Sequence, residues 1–188
     1  MEKQSGKVEL RVRGQRELVE SGVARGPDAF RCAMPVMFHD FARDFLKAAE
    51  GCQVTGDFSP VPCFLYCKSI ELSLKAFLLA ENVPVTKLKG KRSVGHNLER
   101  ALEEAELQGL FDIVEIPRQY KEELRKANYY YVEKAFEYVD NYKVMMMRVD
   151  LPSLKVLFEF ASILVEKLEK VCYEPMHMFA EKYRKRGK

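Results

Sequence analysis

Apolar residues recur at spacings of three and four over most of this chain, which is the period of an amphipathic α-helix. The first such stretch begins at Asp28, which can cap a helix, and ends at Gly51. Pro35 falls early enough in it to kink the helix or to mark its true start. The apolar stripe of this first predicted helix consists of Phe30, Met34, Met37, Phe41, Phe45 and Ala48.

Three further stretches show the same period. A short one, about residues 97–108, has leucine and alanine on one face and charged side chains on the other. Another begins near Pro117 and continues its stripe to Tyr138, and a third begins after Pro152. Each of these stretches is therefore predicted to be a helix that buries one face.

The remaining helix is predicted from Pro60 to about Asn82, and it differs because apolar side chains surround nearly its whole circumference. We expect such a helix at the centre of the fold. Lys68, Glu71 and Lys75 nevertheless fall within one narrow wedge of it. A charge among apolar neighbours is costly unless it is paired or opens on a cleft. The i,i+4 spacing of Glu71 and Lys75 favours a structural ion pair, and the alternative is a ligand cleft lined by the wedge.

Five helices joined by short loops predict an all-α fold, a five-helix up-and-down bundle over residues 28–175. Residues 1–27 are rich in glycine and contain one short alternating run, VELRV, so they are predicted to form a peripheral arm or small hairpin. Residues 176–188 carry five Lys or Arg against one Glu and are predicted to be a basic tail.

The composition is that of one globular domain, with 188 residues, 47% hydrophobic and 31% charged, and a net charge of +3. Five cysteines without paired spacing argue against a disulfide framework and against a zinc ribbon. The first residues lack the apolar stretch of a secretory signal, and no run is long enough to span a membrane. We therefore expect a cytoplasmic protein with no membrane partner, no metal and no cofactor.

The segment KGKRSVGHNL, residues 89–98, combines a basic run with a histidine at a helix start. His96 is expected among backbone N–H groups that attract anions. Lys89, Lys91 and Arg92 lie just upstream and can hold a phosphate. A neutral imidazole could then take a proton from a ribose 2′-hydroxyl while Arg92 stabilises developing charge. The alternative is that His96 bonds a backbone or side-chain partner and fixes the loop to the bundle.

The segments IELSLKAFLLAENV (70–83) and GHNLERALEEA (95–105), joined by the short basic loop, resemble the HEPN domain, a helical nucleotide-binding family. The resemblance covers about residues 29–172. It places Glu71, Lys75, His96, Asn97 and Leu98 at recurring positions of the family.

The resemblance implies a module that binds a nucleotide, RNA or a partner protein through Lys89, Lys91, Arg92 and His96. An alternative is a metal-independent endoribonuclease of toxin or defence type, using Arg92 and His96. Those two residues are separated by Ser93, Val94 and Gly95, fewer than is usual in ribonucleases of the family. A third possibility is a structural interaction protein.

The resemblance also bears on partners. It implies a homodimer in which two copies bring their basic loops to one groove. A nucleotidyltransferase or an antitoxin is the other kind of partner to expect.

Overall fold

The computed structural model describes residues 27–54, 58–90, 93–136 and 150–186. These ranges contain helices and no β-strand, which confirms the all-α class. None of the helices described is both long and apolar enough to cross a membrane. They are, in chain order, α1 Pro27–Glu50, α2 Pro60–Ala80, α3 Val85–Lys89, α4 Leu98–Leu107, a short 3-10 helix Leu110–Asp112, α5 Arg118–Val132 and α6 Leu154–Arg186.

Helix α2 lies at the centre, as its apolar circumference predicts. It contacts α1, α6, α4 and α5, and 14 of its 21 residues are buried. Ile70, Leu74 and Phe77 are at most 1% exposed and form the middle of the core. Burying apolar surface on all sides of one helix is what holds the other helices around it.

Two helices begin or end elsewhere than the sequence predicts. Helix α1 already begins at Pro27, so Asp28 lies inside it and Pro35 does not mark its start. Helix α5 ends at Val132 instead of continuing its stripe to Tyr138. The cause is Lys134, whose φ of 56° is left-handed and stops the helix.

The short helix α3 was not predicted. It begins after Pro84 and buries Leu88 against the core. The segment 176–186, predicted as part of a basic tail, is instead the last three turns of α6. The apolar period continues into it, since Met176 and Phe179 are half-buried and follow Cys172 at spacings of four and three.

Several predicted features lie outside the described residues. They are the arm over 1–26, the loop residues Lys91 and Arg92, and the last two residues of the basic tail.

Candidate functional site

The carboxylate of Glu71 is the centre of a buried polar cluster. Glu71 is 1% exposed. Two ammonium groups of the same helix reach it: Lys75 Nζ lies 2.6 Å from Oε1, and Lys68 Nζ lies 3.1 Å from Oε2. The predicted wedge therefore forms, and the ion pair between Glu71 and Lys75 is present.

Two more donors reach Glu71 from other parts of the chain. Nδ1 of His96, in the turn before α4, lies 3.0 Å from Oε1. The hydroxyl of Tyr131, on α5, donates to Oε2. A carboxylate has about four lone-pair positions, so these four groups nearly satisfy it without water.

The charge state of Glu71 follows from these contacts. Burial alone would raise its pKa, but the charges of Lys75 and Lys68, with hydrogen bonds from Lys75 and Tyr131, lower the pKa below its ordinary value. Glu71 is therefore ionised at neutral pH and accepts hydrogen bonds without donating any.

His96 connects this buried carboxylate to the surface. Its side chain is 69% exposed, whereas that of Glu71 is 2% exposed. Gly95, with φ 53°, supplies the left-handed turn immediately before it. The hydrogen bond to Glu71 is the side-chain contact anticipated by the alternative interpretation of His96. It ties the loop to the bundle, yet most of the imidazole still faces solvent.

The amino terminus of α4 differs from the expectation of free backbone N–H groups. The amide of Leu98 donates to Asn128 Oδ1 at 2.8 Å, and the amide of Arg100 donates to Asn97 Oδ1 at 2.9 Å. Asn128 also donates to Glu99 Oε2 at 2.8 Å. Asn97 is therefore a helix cap, and two amides that would attract an anion already have partners.

The basic loop is described in part. Lys87 pairs with Glu104 at 2.7 Å, so this cation is partly neutralised. Lys89 is exposed at the end of α3. Arg92, the predicted partner of His96 in catalysis, lies with Lys91 outside the described residues.

Two residues of the site were missed by reasoning from the sequence. They are Tyr131, which belongs to the apolar stripe predicted from Pro117 to Tyr138, and Asn128. Both carried a signal, because Leu124, Asn128 and Tyr131 share one helical face. A buried amide or phenol on such a face needs a hydrogen-bond partner.

Other chemically competent groups lie apart from the site. Cys63 and Cys67 are fully buried on α2, and burial together with the Cys67 thiol raises the pKa of Cys63, so this thiol is a poor nucleophile. Within the described ranges, no three His, Cys, Asp or Glu side chains are grouped to hold a metal. A groove of about 830 Å³ lies between α1, α2 and α6, and it includes none of the predicted site residues.

Comparisons with protein-family models, with curated proteins and with solved structures find no match to this chain.

Proposed function

We propose that this protein is an HEPN-like binding module that holds a phosphate-bearing ligand, RNA or a nucleotide, on the surface around His96. The observation that carries the proposal is an exposed imidazole bonded to a buried, ionised carboxylate beside a basic loop. Lys68 is a cation at the edge of the same cluster, and its side chain is 24% exposed. The proposal places the protein in the cytoplasm, where such ligands are abundant.

Side chains rather than a helix terminus would provide the anion contacts. The capped amides of Leu98 and Arg100 are already engaged, so the ligand would depend on Lys89, Lys91, Arg92 and His96. Binding through the lysine and arginine side chains releases counterions and weakens as salt rises.

The experiment is a salt series of RNA binding, measured by fluorescence anisotropy with a labelled single-stranded RNA. Neutralising Lys89, Lys91 and Arg92 to Gln should weaken binding. Three lost phosphate contacts should reduce the slope of log K against log salt by about 2.

The matched control neutralises three exposed cations on other helices, Arg118, Lys155 and Lys167. It should leave the slope nearly unchanged. Equal loss in both variants would mean that overall charge, not the loop, binds the RNA. Unchanged binding in the loop variant would remove the loop from the proposal.

A second candidate function is metal-independent RNA cleavage, and the hydrogen bond from His96 to Glu71 is the observation that favours it. A carboxylate behind an exposed histidine is an arrangement suited to proton transfer. Cleavage of RNA in the presence of EDTA, lost in His96→Ala, would support it. Equal activity in that variant would point to a contaminant.

We also propose that the protein is a homodimer. The support is apolar surface on the outer face of α1, where Phe30, Met37 and Phe41 are 59%, 44% and 53% exposed. We further propose a nucleotidyltransferase or an antitoxin as a partner, and the family resemblance is the only support for it.

A further inference from the structure

We propose that Glu71 is a positioning residue for His96, which it fixes as the Nδ1–H tautomer with the Nε2 lone pair directed away from the core. His96 would then accept a hydrogen bond from a ligand hydroxyl at Nε2. This inference rests on the proposed function, because it gives His96 a chemical task at the ligand surface.

The tautomer follows from the chemistry of the two partners. An ionised carboxylate accepts hydrogen bonds, so the nitrogen that contacts it must carry the proton. In His96 that nitrogen is Nδ1, 3.0 Å from Glu71 Oε1. A neutral imidazole has one protonated nitrogen, and Nε2 is therefore left as an acceptor. Because Nε2 lies across the ring from Nδ1, it faces away from the buried carboxylate.

The carboxylate is itself held in place. Lys75 and Lys68 bond its two oxygens from one turn on either side along α2, and Tyr131 bonds it from α5. The side chain of Lys75 is 9% exposed, so this network is largely shielded from water. A base supported by such a network keeps its orientation when a ligand arrives.

The bond to His96 differs from the other bonds to Glu71 in the exposure of its donor. Lys75, Lys68 and Tyr131 already give the carboxylate three donors. His96 is the most exposed of the four groups that reach Glu71, with 69% of its side chain in solvent against 24% for Lys68 and 9% for Lys75. His96 is therefore the one of the four groups that is best placed to contact both Glu71 and a ligand at the surface.

Nitrogen-15 NMR of the imidazole rings in the full-length protein tests this directly, at alkaline pH where free imidazole is neutral. The chain has three histidines, and His39 is an internal reference. Its Nε2 lies 2.8 Å from the Val165 carbonyl, so His39 should be the Nε2–H tautomer. We expect His96 to be the Nδ1–H tautomer in the same spectrum.

Glu71→Leu removes both oxygens that could accept from Nδ1, so it should shift His96 toward the Nε2–H tautomer that predominates in free histidine, with His39 unchanged. Tyr131→Phe removes a neighbouring bond but keeps the carboxylate, and it should leave His96 as Nδ1–H. Circular dichroism checks that both variants fold.

Two results would overturn the inference. One is an Nε2–H tautomer for His96 in the unmodified protein, which is decisive even if Glu71→Leu does not fold. The other is an unchanged tautomer in folded Glu71→Leu. RNA binding by the unmodified protein is measured separately. Its absence, with the expected tautomer, would contradict the proposed function and leave the role of Glu71 in place.

Discussion

Glu71 is an ionised side chain in the most apolar helix of the chain, and it is stable there because other groups replace its water. The two lysines of α2 supply charge, and His96 and Tyr131 supply hydrogen bonds. Removing one partner of such a cluster leaves a buried charge without full compensation, whereas the intact cluster offsets part of the cost of burying Glu71.

The lowered pKa of Glu71 makes stability depend on pH in a definite direction. A carboxyl whose pKa is lower in the folded state binds its proton more tightly when unfolded. Its contribution to the free energy of unfolding is complete above the ordinary value of 4.5 and is lost as the pH falls through the lowered, folded value. We expect unfolding in urea to show this loss in acid, and we expect Glu71→Gln to show less of it.

The control for this prediction is Glu103→Gln, because Glu103 is exposed on α4. It should keep the pH profile of the unmodified protein. The same acid dependence in Glu71→Gln as in the unmodified chain would show that other carboxyls cause it.

At the residue scale, the sequence predicted the part of the site that lies on one helix. Helical spacing places Lys68, Glu71 and Lys75 together without knowledge of the fold. The contacts of His96 and Tyr131 with Glu71 span 25 and 60 residues of chain. Helical periodicity shows that Tyr131 faces inward, but tertiary packing determines which residue it contacts.

Helix α4 is held at its amino end by two asparagines, and one of them comes from another helix. Asn97 caps its own helix by accepting a hydrogen bond from the Arg100 amide. Asn128, which lies on α5 and is 5% exposed, accepts a hydrogen bond from the Leu98 amide. Because His96 immediately precedes this end, the two caps also locate the candidate site.

Asn128→Ala should lower the free energy of unfolding by about 1–3 kcal/mol, because it leaves the buried Leu98 amide without a partner. Asn97→Ala should cost about 1 kcal/mol, the usual loss for a helix cap. Urea denaturation measures both. Gln119→Ala, at an exposed position of α5, is the control and should change little. A loss in Asn128→Ala no larger than in that control would contradict the bridging role of Asn128.

At the element scale, the apolar period predicted the position of the central helix but not where two of the other helices end. The apolar circumference of α2 correctly placed it at the centre. The end of α5 depends on the positive φ of Lys134. Lysine seldom adopts this conformation, so the sequence does not predict it. In α6 the many charges of the predicted basic tail concealed the apolar period that continues the helix.

At the scale of the whole molecule, α1 presents three exposed large apolar side chains on one face, Phe30, Met37 and Phe41. Helix α2 contributes little such surface, because 14 of its 21 residues are buried against its neighbours. If the proposed homodimer uses the outer face of α1, light scattering should give twice the 21.8 kDa of one chain. Phe41→Glu should then lower the mass toward that of one chain, since a charge would enter the contact.

Phe111→Glu is the matched control for the dimer, because Phe111 and Phe41 are equally exposed at 53% but lie on different elements. It should leave the mass unchanged. A mass near 21.8 kDa for the unmodified protein would contradict the dimer itself.

The central claim is that a phosphate-bearing ligand binds around His96, and NMR titration with a short single-stranded RNA locates that binding directly. We predict saturable shifts in the amides of residues 93–97 and in the imidazole of His96. The groove between α1, α2 and α6, reported by Val83 and Phe179, should remain unshifted. Shifts centred on that groove, or no saturable shift near His96, would contradict the account.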